Sequence, residues 1–266
     1  MLHLPSIDPV LIRFFIPYLG EIQIRWYSAL YVTALASAYW LVAGAVKRGR
    51  LPIPLEQVEF ALIATLIGMV VGARLTYAGL YNFPYYSANP IEVLEVWKGG
   101  LALHGGLVGG LLGLGLYCRT VRIDTFLISD YLTLILPIGL FLGRLGNFLN
   151  GELWGTASEM PWAMIFPGAG PLPRHPSQLY QAIFEGPVLG LGLLLISALR
   201  PRPGVITAVF LGAYGVQRFF LEFFREPDAQ LGYILGPLSM GQLLSVALIG
   251  FAGFIGMHVA RREPTL

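Results

Sequence analysis

Cysteine, charge and basic runs are all scarce in this chain, and each scarcity closes a class of function. One cysteine, Cys118, stands among 266 residues, so an intrachain disulfide and a thiolate metal cluster are both excluded. It reads as a small apolar residue. Asp, Glu, Lys and Arg make up 12% of the chain, about half the share that ordinary soluble domains carry. The net charge is +2, and no basic run of the kind that tracks a phosphate backbone is present, which sets nucleic acid aside. There is no glycine-rich phosphate loop of the P-loop type and no acidic pair at metal spacing. The opening residues MLHLPSIDPVLIRFF put no positive stretch ahead of the apolar one and offer no small-residue cleavage site. The first long apolar segment is therefore expected to act as its own insertion signal.

What is abundant is apolar surface. Hydrophobic residues are 56% of the chain and mean hydropathy is +0.68, more than a soluble core can hide, so the bilayer is the expected solvent. Runs of about 17–25 apolar residues mark membrane helices, and seven appear: Trp26–Val46, Val58–Leu80, Leu101–Tyr117, Tyr131–Leu149, Leu179–Leu199, Val205–Phe224 and Leu238–Val259. Such lengths do not suit barrel strands. The reading is an all-α integral membrane protein, a single polytopic domain of seven transmembrane helices.

Charge sorts the loops. Lys47, Arg48, Arg50, Arg119, Arg122, Arg200, Arg202, Arg261 and Arg262, nine of the seventeen Lys and Arg, fall on one side. The positive-inside rule makes that side cytoplasmic, with the N-terminus outside and the C-terminus inside. The opposite loops, 81–100, 150–178 and 225–237, are dense in aromatics, Pro, Gly, Asn and Glu and are expected to cover an extracytoplasmic site. Cys118 lies near the cytoplasmic ends and is not expected to be a nucleophile.

Charges within apolar spans cost about 2.5–3.5 kcal/mol each even on a lenient scale. Arg74, Arg144, and Arg218 with Glu222 lie at such depth. Arg218 and Glu222 are four apart and share a helix face, and Arg74 fits a snorkelling or helix-capping role. Few carboxylates lie deep enough to pair with all three arginines, so an anionic lipid headgroup is the expected partner, a guanidinium fork being suited to phosphate. His104 is the one histidine within a span, and the glycines of GGLALHGGLVGG clear bulk around its imidazole. A neutral imidazole takes a proton from an incoming nucleophile. His3, His175 and His258 show no metal-ligand spacing. In FLGRLGNFLNGELWG, Arg144, Asn147 and Asn150 recur every third residue, and Glu152 follows in the turn. The cluster reads as a polar pocket at the mouth of a helix bundle.

At these residues the chain resembles the prolipoprotein diacylglyceryl transferase family. The resemblance rests on GRLGNFLNGELWG at 143–155, supported in the family's order by YNFP at 81–84, LHGGLVGG at 103–110, LPRHPSQLY at 172–180, EFFREPDAQ at 222–230 and SMGQLLS at 239–245. It implies a bacterial inner-membrane enzyme, its site facing the periplasm, that moves the diacylglyceryl group of phosphatidylglycerol onto the lipobox cysteine of a preprolipoprotein. Neither a metal nor another cofactor is implied. By matching position, Arg144 and Arg218 would grip the lipid phosphate. His104 would be the candidate base for the thiol, a part that the arginines or a carboxylate also fit. Tyr27, Tyr81, Asn147, Glu152, Tyr214 and Glu222 would complete the pocket, and Gly155 would be a spacing residue. The chain departs from the family's usual pattern with RWYS at 25–28 and with Gln181, where an acidic residue often stands, and Glu185 is not assumed to replace it. The loop between Glu152 and His175 is also short. The rival class is a transporter or flippase of an anionic amphiphile, which also suits buried arginines, although no repeated half is visible.

Overall fold

A peptide group in hydrocarbon has no water to bond, so a chain this apolar closes its hydrogen bonds within each segment. The computed structural model, which describes residues 2–3, 8, 10–17, 20–226 and 233–262, does so nearly throughout. In chain order come β1 (Leu2–His3), β2 (Val10–Ile16), β3 (Gly20–Arg25), α1 (Trp26–Lys47), α2 (Leu55–Thr76), α3 (Phe83–Ala88), α4 (Leu103–Thr120), α5 (Thr125–Thr133) and α6 (Leu136–Leu149). Then follow β4 (Met164–Ile165), α7 (Ser177–Ile183), α8 (Leu189–Ala198), α9 (Val205–Leu221), β5 (Tyr233–Leu235), β6 (Leu238–Ser239) and α10 (Met240–Arg261). Among the described residues, six helical segments are long and apolar enough to cross a membrane: Trp26–Lys47, Leu55–Tyr81, Thr125–Leu149, Ser177–Ala198, Val205–Phe224 and Met240–Arg261. The other expected span, 101–117, is the helix α4 and is not one of these six.

Two expected spans are broken where the sequence breaks them. Tyr131–Leu149 is α5 and α6, parted at Leu134 and Ile135 just ahead of Pro137, whose ring cannot follow a continuous helix. Leu179–Leu199 is α7 and α8 joined by a π-turn, Phe184–Val188, holding Pro187 and a non-helical Gly186. A short hairpin, β2 against β3, precedes the first span, and the apolar residues of GEIQIR alternate as a strand requires.

The outside is oily and the inside carries the polar groups. Val32, Leu35 and Trp40 on α1, and Leu191, Leu194 and Leu195 on α8, all face outward. Arg74, Asp130, Gln178, Gln181, Glu185, Glu222 and Gln242 are buried. A protein bathed in water inverts this arrangement; lipid-facing helices show it.

The chain divides into two compact units, Val42–Ile128 and Met1–Leu41 with Ser129–Leu266. Within the first, α2 and α4 touch backbone to backbone. A methyl group at Gly72 would strike the Gly105 carbonyl, and one at Gly109 would strike that of Gly68. Small residues permit such approach in lipid. The glycines around His104 were expected to let a backbone or a ligand approach closely, and at Gly105 and Gly109 it is the backbone of α2 that does so. Within the second unit, Asp130 on α5 caps α9. Its carboxylate accepts from the Gly204 amide at 2.7 Å and from the Thr207 amide at 2.8 Å and hydroxyl at 2.6 Å, filling donors that a helix start leaves open.

Candidate active site

The buried charges of the second unit form a chain. Arg144 on α6 donates from Nε to Glu185 Oε2 at 2.9 Å. Arg218 on α9 meets Glu222 Oε2 at 2.7 Å, one helical turn on, and its Nη1 stands 3.9 Å from Glu185 Oε1. Arg225 adds Nη1 at 3.6 Å from Glu222 Oε1. Glu185 is 0% exposed and Glu222 7%. Three guanidinium groups thus surround two carboxylates, in a setting where electrostatics are strong.

Local sequence explains each placement. The π-turn of Phe184–Val188 holds Glu185 where it reaches Arg144; single π-turns in helices are frequent at functional sites. Glu222 rests against the start of α10, where Ser239 caps the helix reciprocally with Gln242 and donates its hydroxyl to Glu222 Oε1 at 3.2 Å. A methyl group on Gly241 would come within 2.6 Å of the same carboxylate oxygen, so the Glu222 side chain would have to shift to make room for it. Tyr214, one turn before Arg218, stacks on Phe210 with centroids 5.7 Å apart and interacts with Arg144, Arg218 and Glu185.

The signature stretch builds the wall beside this chain. Asn147 and Asn150 both donate to Glu152 Oε1, at 2.9 and 3.3 Å. Tyr27 lays its ring on Gly146, where a methyl group would come within 2.7 Å of it; its hydroxyl meets that of Tyr31 at 3.3 Å and lies in the field of Glu152 and Arg144. Gly155 is wedged between two backbones. Its amide donates to the His175 carbonyl at 2.9 Å, it bridges to Arg225, and a methyl group there would strike the Phe224 carbonyl. Gln178 donates to the Glu152 carbonyl at 2.7 Å and Ser177 to that of Leu153 at 3.0 Å, so LPRHPSQLY underpins NGELWG. His175 Nδ1 meets the Tyr180 hydroxyl at 3.0 Å, and Trp162 donates to that hydroxyl at 2.6 Å. Partial burial holds the His175 imidazole below its ordinary pKa.

Of the residues singled out in the sequence, Tyr27, Arg144, Asn147, Glu152, Gly155, Tyr214, Arg218 and Glu222 all belong to this unit. Tyr81 and His104 belong to Val42–Ile128. There Tyr81 is exposed and stacks on Tyr77, and the His104 side chain lies outside the described residues. Arg74 is 3% exposed and has a different kind of partner. It donates to the carbonyls of Val93 at 2.9 Å, Glu92 at 2.6 Å, Glu95 at 3.0 Å and Gly100 at 3.3 Å, and also to that of Gly99. Its guanidinium lies 5.0 Å from the Tyr86 ring centroid. The idea that too few carboxylates serve the deep arginines is corrected twice: Glu185 and Glu222 serve Arg144 and Arg218, and Arg74 is bound to the backbone. Glu185 was passed over although it stands in an apolar run, where any acid needs a reason. Among the described residues, no group of three His, Cys, Asp or Glu side chains is gathered as for a metal ion.

Fold and site together define a polytopic membrane protein with a buried arginine–carboxylate centre. The family model described as prolipoprotein diacylglyceryl transferase matches residues 14–258. A protein of Geobacter sulfurreducens is 44% identical over 264 residues, covering 98% of this chain and 99% of its own. One of Methylococcus capsulatus is 46% identical over 253 residues, 94% and 95% of the two chains. One of Vibrio cholerae is 42% identical over 249 residues, 93% and 90%. All three bear the name phosphatidylglycerol–prolipoprotein diacylglyceryl transferase. The chain belongs to the prolipoprotein diacylglyceryl transferase family.

Proposed function

We propose that this protein transfers the diacylglyceryl group of phosphatidylglycerol to the lipobox cysteine of a preprolipoprotein, the first step of bacterial lipoprotein maturation. The observation that carries this reading is the buried chain Arg144–Glu185–Arg218–Glu222–Arg225, in which Arg144 and Arg218 share one carboxylate, Glu185. A phosphodiester headgroup supplies one negative charge. Its phosphate is held by Arg144 and Arg218, whose fixed charge and directional donors suit it.

The cysteine sulfur attacks the glycerol carbon of the diacylglyceryl group. A C–S bond forms, the C–O bond to phosphate breaks, and glycerol 1-phosphate leaves with the electron pair. Negative charge grows on the departing phosphate, where preorganised guanidinium groups stabilise it most. A free thiol has a pKa of about 8.5, so the thiolate needs a base or a positive field. The arginines supply the field, and His104 remains the candidate base. Tyr27, Asn147, Glu152, Tyr214 and Glu222 form the pocket wall, with Gly155 holding its backbone, and Tyr81 remains a candidate for contact with the substrate.

The finer arrangement belongs to the same reading. Seven spans, α4 among them, place the N-terminus outside and the C-terminus in the cytoplasm. The site then faces the periplasmic side of the inner membrane, and the loops 81–100, 150–178 and 225–237 cover its mouth. The charge distribution among the loops supports this orientation.

The test is transfer in detergent micelles, with purified protein, phosphatidylglycerol and a lipobox peptide, and no added metal or nucleotide. A diacylglyceryl adduct on the peptide, absent with a Cys→Ser peptide, is expected. No adduct, with lipid instead moved across reconstituted vesicles, would turn the same arginines into a transport site.

A further inference from the structure

Every polar atom of the charge chain can be asked for its partner. Glu222 is ion-paired on both oxygens, Oε2 with Arg218 and Oε1 with Arg225, and Oε1 also accepts from the Ser239 hydroxyl. Glu185 is occupied on Oε2 by Arg144. Two atoms remain. Glu185 Oε1 and Arg218 Nη1 are both buried, neither has a hydrogen-bond partner in the protein, and they stand 3.9 Å apart. That is too far for a direct hydrogen bond. A single oxygen about 2.8 Å from each would satisfy both.

The chemistry of that oxygen is constrained. A phosphate oxygen only accepts: it would suit Arg218 and face Glu185 acceptor to acceptor. An ammonium only donates, and would suit Glu185 while opposing Arg218. A hydroxyl donates and accepts at once. We propose that Glu185 Oε1 and Arg218 Nη1 form a subsite for a hydroxyl of the lipid headgroup, next to the arginines that hold its phosphate. The proposal rests on the transferase reading and deepens it, since the hydroxyls of a glycerol headgroup set it apart from an anionic phosphodiester that carries none. Glu185 and Arg218 are then specificity-determining residues. They recognise the leaving half of the lipid, and the carboxylate that neutralises Arg144 also inspects what the phosphate carries.

The test uses the wild-type protein in mixed micelles with a lipobox peptide and four lipids of identical acyl chains. These are phosphatidylglycerol, the two phosphatidylpropanediol isomers that lack one hydroxyl each, and phosphatidylmethanol, which lacks both. All four are singly charged phosphodiesters broken at the same C–O bond, so differences in kcat/KM report the headgroup alone. A site built to bond a hydroxyl rejects an analogue without it strongly, and phosphatidylmethanol is expected to fall by about 100-fold or more. One propanediol isomer should fall with it, identifying the hydroxyl read. Glu185→Gln should narrow the gap between phosphatidylglycerol and phosphatidylmethanol to below about 10-fold, mainly by slowing phosphatidylglycerol. If that variant does not fold, the lipid series on the wild type decides by itself. Equal use of phosphatidylmethanol and phosphatidylglycerol would overturn the subsite and leave the pair bridged by water. Full discrimination retained by a folded Glu185→Gln would overturn it too. No adduct from phosphatidylglycerol itself would be a failure of the transferase reading and would take the subsite with it.

Discussion

Two regions of this protein bury arginine, and they do so in opposite ways. In Val42–Ile128, Arg74 at the end of α2 is fastened by five backbone carbonyls of residues 92–100. In the other unit, Arg144 and Arg218 are held by the side chains of Glu185 and Glu222. Carbonyl dipoles belong to the loop itself, and a ligand cannot replace them without undoing the loop. A carboxylate on a side chain is a counter-ion that an incoming phosphate can rival. The same residue type at the same kind of depth is structural in one place and available for chemistry in the other. The sort of partner makes the difference.

The comparison breaks most sharply at the arginines. Arg144→Ala should lower transfer by at least about 100-fold, the range seen on losing one group that stabilises developing charge, while circular dichroism stays that of a folded helical protein. Retained turnover would remove the central assignment. Arg74→Ala should instead act on stability. Each buried carbonyl left without its donor costs about 1–3 kcal/mol, read as a fall in thermal unfolding temperature in detergent, with kcat of the surviving folded fraction near that of the parent. A specific loss of kcat with unchanged melting would place Arg74 on the chemical side of the divide.

Smaller effects sharpen the comparison. Asp130→Ala removes the cap of α9, the helix that carries Tyr214, Arg218 and Glu222, and should cost about 1–2 kcal/mol in the same melting assay. If activity fell while melting was unchanged, the cap would have a role beyond holding the helix. His175 responds to pH. Its burial lowers the folded pKa beneath the unfolded value of about 6.5, so the neutral ring is favoured by folding. That contribution is fully present above the unfolded pKa and is lost as pH falls through the folded one. The tryptophan emission of Trp162, whose indole shares the Tyr180 hydroxyl with His175, should shift over this acidic range and cease to do so in His175→Gln. Least affected is Cys118→Ala: the thiol is fully buried in α4, and transfer should be unchanged in the micelle assay.

The helices and the heart of the site were legible because their signals are strong. Apolar runs long enough to span a bilayer have little alternative to helix, and polar residues within them stand out against their surroundings. Breaks inside spans were harder. Pro137 and Pro187 were visible in the sequence, but a proline in a membrane helix is tolerated as often as it breaks one. Glu185 was missed for a different reason. Its partners come from α6 and α9, far away along the chain, and no local spacing pairs it with Arg144. The i,i+4 rule found Glu222 for Arg218, whereas the Arg144–Glu185 pair exists only once helices pack. Arg74 was the reverse case: nothing in a sequence announces that a turn will aim its carbonyls at one side chain.

The cradle of Glu222 at Gly241 ties the last helix to the site. A carboxylate seated against a bare α-carbon makes that α-carbon part of the site's fit, although glycine brings no reactive group of its own. A mutant line carrying alanine at 241 would mimic one altered at Glu222 or Arg218, because the displaced carboxylate would pull away from its arginine. Compensating changes would then be sought in a shorter acid, Glu222→Asp, which withdraws from the new methyl group by about one carbon–carbon bond length.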